Sequence, residues 1–130
     1  MSNQDRIAEY WDELIATDSE DTFRYLVEIP DRESVVKFTF SKYKEAGSND
    51  VKTSALEVLK EVRGSASEKA IQEIALTAQS LEEWKNAVEA RIYSNQATAI
   101  DFLQKEKIRF DLEGNKKMII ECENLICDLT

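Results

Sequence analysis

The residues that most enzymes use for proton transfer and metal binding are scarce in this chain of 130 residues. It contains no histidine, the side chain most often used as a general base or metal ligand. Its cysteines are Cys122 and Cys127, and two thiolates without histidine do not complete a zinc site. The three glycines stand far apart, so the sequence has no glycine-rich phosphate loop. We therefore expect no cofactor and no bound metal.

Two groups of carboxylates have a spacing that an enzyme could use. Pro30-Asp31 followed by Asp50-Val51-Lys52 resembles the motif of restriction-type nucleases, in which carboxylates bind Mg²⁺ and the lysine steadies the attacking water. In those nucleases the second part lies on a strand, whereas Asp50 is expected to begin a helix. Glu121, Glu123 and Asp128 form the other group and are expected to be solvated surface charges. We expect no catalysis, and a carboxylate- and magnesium-dependent enzyme is the less favoured alternative.

The charge distribution favours a basic protein partner. The formal net charge is −9, which repels nucleic-acid backbones and anionic lipid surfaces. Ten acidic residues and three arginines give residues 1–33 a net charge of −7, whereas six basic and four acidic residues give residues 34–64 a net charge of +2. Such a polarity steers a basic partner toward the N-terminal part of the chain. The alternative is a solvated surface that the net charge keeps soluble.

The residues expected to contact this partner combine aromatic rings with acids. Tyrosine and tryptophan are enriched at binding hot spots, and a domain this small cannot bury every large apolar side chain. Core packing is the alternative for the aromatic residues. The predicted partner-binding residues are Tyr10, Trp11, Asp12, Glu13, Asp18, Glu20, Asp21 and Trp84.

The N-terminal part of the chain is predicted to contain a helix and a β-hairpin. Residues 4–17 place Ile7, Trp11 and Leu14 on one apolar stripe, which predicts an amphipathic helix. Residues 22–41 alternate aromatic and β-branched residues around a loop at 30–33, and this register pairs three apolar residues of each strand on one face. Two short helices, with Pro30 in the first turn of the second, are the alternative.

The middle of the chain is predicted to be helical. Asp50 can cap a helix that ends before Gly64. Ser65 with Glu68, and Ser80 with Glu83, fit capping boxes. They predict helices over 66–79 and 81–94, with 96–106 continuing. Whether this stretch is one bent helix or several stays open, although the capping box at Ser80 favours a break there.

A second hairpin is predicted for residues 107–123. Ile108, Phe110 and Leu112 alternate with charged residues before a loop at Gly114. The register places these three residues opposite Cys122, Ile120 and Met118, so that Cys122 is expected in the core. It also pairs Arg109 with Glu121, and Glu113 with Lys117, as opposite charges on the other face.

These elements predict one α+β domain over residues 1–130. Its order is an N-terminal helix, a β-hairpin, a helical middle section and a C-terminal β-hairpin, and the two hairpins form one small antiparallel sheet. The alternative is a mainly α, helical-repeat-like chain with a C-terminal hairpin, because Asp50 to Val62 resembles the first helix of a HEAT-type repeat unit.

The expected function is that of a small, acidic, non-catalytic protein that caps, inhibits or escorts a basic protein partner. Immunity proteins, inhibitors and secretion-type chaperones are similar in size and charge. An α-helical scaffold or adaptor and a nucleic-acid-mimicking inhibitor are the alternatives. The sequence has neither a signal peptide nor an apolar run that spans a membrane, so we expect a cytoplasmic protein that contacts neither membrane nor nucleic acid. A homodimer is compatible with the sequence.

Overall fold

The computed structural model describes residues 2–130, and all regular secondary structure in this range is α-helical. The eight helices are α1 Asn3–Thr17, α2 Glu20–Val27, α3 Arg32–Glu45, α4 Asn49–Val62, α5 Ser65–Leu76, α6 Leu81–Ser94, α7 Gln96–Leu112 and α8 Lys116–Leu129. None of them is long and apolar enough to cross a membrane.

Side-chain caps explain where the helices begin. In every helix except α5, the residue before the first turn is Ser, Asp or Asn, and its side chain accepts a hydrogen bond from the backbone N–H three residues later. Such caps satisfy backbone groups that have no partner inside the helix. α5 differs, because Gly64 precedes it and makes no side-chain cap.

Consecutive helices pack as pairs, α1 with α2, α3 with α4, α5 with α6 and α7 with α8. The first three pairs stack side by side, because α1 contacts α3, α3 contacts α5, α2 contacts α4 and α4 contacts α6. The last pair joins the stack through contacts of α6 with α7. Stacked helical pairs are the architecture of α-solenoids. The mainly α alternative therefore fits the fold, apart from its C-terminal hairpin.

One continuous apolar core runs from Ile7 in α1 to Cys122 in α8. Trp11 packs edge-on against Phe38, with 6.3 Å between ring centroids. Trp84 packs in the same way against Phe110, at 5.7 Å. Only 4% of Trp11 and 2% of Trp84 is exposed, so both tryptophans belong to the core.

The predicted α+β fold is wrong, and the first reason is that residues 22–41 form the end of α2, a short connection at 28–31 and most of α3. The buried residues of α3 recur at helical spacing, as Val35, Val36, Thr39 and Tyr43. Tyr25, one of the three residues that the first strand of the predicted hairpin places on its apolar face, opposite Phe38, is 50% exposed. Pro30 lies before α3, which begins after Asp31 because the Asp31 carboxylate accepts a hydrogen bond from the backbone N–H of Ser34.

The second predicted hairpin, over residues 107–123, is also wrong. α7 continues to Leu112 and α8 begins at Lys116, so no sheet forms in the part of the chain that the structure describes. Arg109 pairs with Glu106 and Glu113 along its own helix, rather than with Glu121 across a strand. Cys122 is fully buried, as predicted, but in the core between helices.

The helices predicted for the rest of the chain are confirmed, although the one predicted over 66–79 ends at Leu76. Two of the predicted caps are wrong, because Ser48 rather than Asp50 caps α4, and Ser65 is the first residue of α5 and forms no capping box. α1 and α4 match the first and third predicted elements within one or two residues. Ser80 begins a new helix by accepting the Glu83 backbone N–H at 3.1 Å, and the stretch 66–106 contains parts of three helices.

Candidate binding groove

A groove of about 600 Å³ lies between the α1–α2 connection and the first half of α4. Its apolar lining comes from Leu14, Ile15, Phe23 and Val51, and its acidic lining from Asp18, Glu20, Asp50 and Glu57. We call these eight residues the acidic groove. Its volume falls within the range of ordinary ligand sites, and its combination of apolar and acidic groups makes it the best-supported binding surface of the chain.

The local backbone explains how the acids reach this position. Asp18 adopts a left-handed conformation (φ 53°), and its backbone N–H donates to Leu14 O at 2.8 Å to close α1. Aspartate adopts this conformation more readily than most residues. Ser19 then caps α2, so the chain reverses within two residues. Glu20 and Asp50 stand in the first turns of α2 and α4, where the helix dipole favours a negative charge.

The charge of the groove is almost uncompensated. No basic residue lines it, and only Glu57 is paired, with Lys60 Nζ at 3.2 Å. Asp18, Glu20 and Asp50 form no ion pair within residues 2–130. The helix dipoles also contribute partial charges, of roughly +0.5 elementary charge at each N-terminus of α2 and α4 and roughly −0.5 at the C-terminus of α1. Three unpaired carboxylates outweigh these partial charges, so the groove attracts cations.

The predicted partner-binding residues divide into three groups in the structure. Asp18 and Glu20 line the acidic groove. Asp12, Glu13 and Asp21 are exposed outside it, and Asp21 pairs with Arg24 at 2.9 Å. The aromatic residues pack inward: Trp11 and Trp84 are buried, and Tyr10 is half-buried against Tyr25, with 5.9 Å between ring centroids.

Sequence reasoning missed the half of the groove that comes from α4. The sequence predicts Asp50 only as a helix cap and a nuclease-like acid, and it gives no sign of a role for Glu57. Both are more than thirty residues from Asp18, and only the packing of α2 on α4 brings them together. The acid at the start of α4 was visible in the sequence, but nothing local linked it to α1.

Two of the nuclease-like residues, Asp31 and Lys52, are engaged in structural contacts, whereas Asp50 lines the acidic groove. The Asp31 carboxylate accepts hydrogen bonds from the Ser34 hydroxyl at 2.6 Å and from its backbone N–H at 3.2 Å. These bonds hold the pKa of Asp31 below its ordinary value. Lys52 Nζ lies 2.7 Å from Glu83 Oε1. Within residues 2–130, no three Cys, Asp or Glu side chains are grouped so as to hold a metal ion.

Glu83 is the centre of a polar junction between α3, α4 and α6. Besides Lys52, the Tyr43 hydroxyl donates to Glu83 Oε1 at 3.3 Å and the Gln79 backbone N–H donates to Oε2 at 3.0 Å. The pKa of Glu83 is lowered, and the hydrogen bond from Lys52 makes the largest contribution. Burial, reinforced by the Glu83 charge, raises the pKa of Tyr43 to about 12. This junction is satisfied internally and holds three helices together.

A second polar cluster surrounds Glu106, which is buried. Its carboxylate accepts hydrogen bonds from Trp84 Nε1 at 3.4 Å and from Arg109 Nε at 2.5 Å. Burial, followed by the charge of Glu106, raises the pKa of Cys122 to about 11. The Cys122 thiol is therefore protonated at neutral pH and inaccessible, which makes it a core residue and a poor nucleophile.

Comparison with known proteins gives no assignment, because the chain matches no family model, no curated protein and no solved structure. The acidic groove is therefore the feature from which a function is inferred.

Proposed function

We propose that this chain is a non-catalytic binding protein whose acidic groove takes a basic, amphipathic segment of a partner protein. The observation that carries the proposal is the composition of the groove, in which three unpaired carboxylates share the lining with an apolar floor of Leu14, Ile15, Phe23 and Val51, and no basic residue lines it. Lysine and arginine side chains complement such a site, because their apolar stems pack on the floor while their charged heads remain among the carboxylates.

The charge of the surrounding surface supports the same partner chemistry. Residues 1–33 carry a net charge of −7, and the acidic residues outside the groove extend its negative potential. Long-range attraction of this kind raises the association rate of a basic partner more than it raises the final affinity. Salt weakens it, because the screening length is about 8 Å at physiological ionic strength.

The consequence for the partner is that its basic segment is covered while it is bound, which amounts to capping, inhibiting or escorting it. We place this binding in the cytoplasm, because Cys122 and Cys127 are both free thiols and such thiols persist in reducing compartments.

A helical scaffold or adaptor is the second candidate, and the stacked helical pairs favour it. Such stacks present extended surfaces to their partners. A second, more apolar groove of about 710 Å³ lies between α3 and α5, and an adaptor would use it together with the acidic groove.

The test is a titration of a labelled amphipathic peptide of leucine and lysine at helical spacing, followed by fluorescence anisotropy. The groove variant is Asp18→Asn with Asp50→Asn, since asparagine tolerates the left-handed backbone at position 18. The control variant is Asp12→Asn with Glu13→Gln, which removes the same charge from exposed residues outside the groove. A peptide with glutamate in place of lysine is the control ligand.

We expect the groove variant to bind roughly five- to tenfold more weakly at ~50 mM salt, since two exposed charge pairs contribute about 0.5–0.7 kcal/mol each. The affinity of the control variant for the peptide should fall by less than twofold. Binding should weaken strongly at ~500 mM salt. Equal losses in the two variants would show that the peptide responds only to overall charge, and the proposed groove would then be wrong.

A further inference from the structure

The two ends of the helical stack differ in polarity. At the α1–α2 end, the outward residues include the exposed acids Asp12, Glu13 and Asp21. At the other end, Leu112 is 85%, Ile108 62% and Ile120 56% exposed, and these are the three most exposed large apolar side chains within residues 2–130. The last pair of a helical stack needs a polar outer face to remain soluble by itself, and α7–α8 does not have one.

The exposed side of α7–α8 has the form of a groove. Its volume is about 860 Å³, and its lining includes Ile108 from α7 and Ile119, Ile126 and Cys127 from α8. Lys107 Nζ lies 3.5 Å from Glu123 Oε1 and links the two helices across the groove. We call this surface the end face.

We propose that a second copy of this chain covers the end face, so that two α7–α8 pairs meet around a two-fold axis. Charge is the reason for choosing a second copy as the occupant. Five basic and seven acidic residues give residues 96–130 a net charge of −2, compared with −7 for residues 1–33. Two chains of net charge −9 therefore repel each other less when their end faces meet than when their acidic ends meet.

The charges in the end face are also self-complementary. Lys107 stands beside Asp111 and Glu123 in the lining of the groove. A two-fold axis brings the same patch of each copy together, so Lys107 of one copy can approach Asp111 of the other at both edges of the contact. The end face has fewer unpaired carboxylates than the acidic groove, because Glu123 is paired with Lys107. It is therefore less suited to the basic partner proposed for the groove.

The size of the end face predicts a weak dimer. α7 has 17 residues and α8 has 14, which gives helices about 25 and 21 Å long with axes about 9 Å apart. The face therefore covers on the order of 500 Å² per copy, and two copies bury roughly 1,000 Å², near the lower limit for a specific interface. The dimer should dissociate on dilution.

Sedimentation equilibrium over a range of concentrations measures this association. We expect the average mass to rise with concentration toward twice the 14.9 kDa of one chain. Ile108→Glu should raise the dissociation constant at least tenfold, because it buries a charge in the contact. Leu76→Glu, at an exposed position of α5, is the matched control and should behave like the wild type. A chain that stays monomeric at several hundred micromolar, or equal effects of both variants, would overturn the proposal.

Thiol cross-linking identifies the face that is used. Cys127 is exposed and Cys122 is fully buried, so a bismaleimide joins two copies only through Cys127, as each thiol adds across one maleimide double bond. We expect a covalent dimer that Cys127→Ser abolishes. A dimer in sedimentation that gives no cross-link would place the contact elsewhere. The groove variant Asp18→Asn with Asp50→Asn should dimerise normally, so this test is independent of peptide binding.

Discussion

Glu83 accepts hydrogen bonds from three other residues and shows how one carboxylate fixes the packing of several helices. Its pKa lies below the ordinary value, mainly because Lys52 donates to it. A carboxylate whose pKa is lowered by folding stabilises the fold at pH values above its unfolded-state pKa. This stabilisation is lost as the pH falls through the lowered folded-state pKa. The junction should therefore stabilise the fold at neutral pH and weaken in acid.

Glu83→Gln tests this contribution. At pH 7 the variant should have an unfolding free energy lower by about 1 kcal/mol, because a partly exposed, charge-assisted hydrogen bond is lost. The difference from the wild type should begin to shrink as the pH falls below the ordinary glutamate pKa of 4.5. It should approach zero only once the pH is also below the lowered folded-state pKa, because Glu83 is then protonated in both the folded and the unfolded chain. Urea denaturation at pH 7 and pH 3 measures both values, and the exposed Glu9→Gln serves as control. A difference that does not change with pH would contradict the role given to the Glu83 charge.

Thr39 is buried in α3, and its hydroxyl has no hydrogen-bond partner. A buried polar group without a partner destabilises the fold. Thr39→Val replaces the hydroxyl with a methyl group of similar size and should raise the unfolding free energy by about 1 kcal/mol. Thermal and urea denaturation measure the change, and Thr17→Val, at an exposed position, should be nearly neutral. A destabilised Thr39→Val protein would show that the hydroxyl does have a partner in solution.

At the scale of single residues, the sequence predicts part of the acidic groove. Asp18 and Glu20 were predicted as contact residues because they are acids close to an aromatic helix. Trp11 was predicted as a contact although it lies at the centre of the apolar stripe formed with Ile7 and Leu14, a position that favours burial. The carboxylate of Asp50 belongs to the site through tertiary packing alone, which a local pattern does not contain.

At the scale of helices, both wrong hairpins have the same cause. A short run of alternating apolar residues fits a strand, and the competing helical stripe was interrupted by a polar residue in each case. In α3 that residue is Thr39, and in α7 it is Glu106, which is buried by its contacts with Trp84 and Arg109. A polar residue that is buried in the folded chain interrupts the apolar stripe in the sequence and so hides the helical period.

Gly114 and Asn115 also favoured the wrong hairpin over residues 107–123, because the same residue types are common in hairpin loops and at helix ends. In the structure Gly114 has φ +70°. Its backbone N–H donates to Asp111 O at 3.0 Å, and that of Asn115 donates to Phe110 O at 2.8 Å. This is the Schellman arrangement that ends a helix. Asn115 then caps α8.

Replacing Gly114 tests this assignment at the helix end. Gly114→Ala should lower the unfolding free energy by about 1 kcal/mol, because alanine is strained at positive φ. Gly47→Ala is the control, since Gly47 does not have a positive φ and a methyl group there meets no atom within 4 Å. The control should be neutral or slightly stabilising. Chemical denaturation compares the two variants, and equal changes would argue against the left-handed turn between α7 and α8.

The whole molecule is a helical stack with the acidic groove at one end and the apolar end face at the other. The groove needs α1, α2 and α4 together, so a fragment without α4 lacks half of its carboxylates. The separation of the two surfaces along the stack allows partner binding and self-association at the same time. The binding of a basic segment in the acidic groove is the central claim.

The most direct test of that claim is NMR mapping of the leucine–lysine peptide on the ¹⁵N-labelled chain. We expect the largest changes in backbone amide shift within residues 14–23 and 50–57, the two segments that line the acidic groove, and smaller changes in α5 and α6. Changes centred on another surface, or spread evenly over all exposed acids, would contradict the central claim.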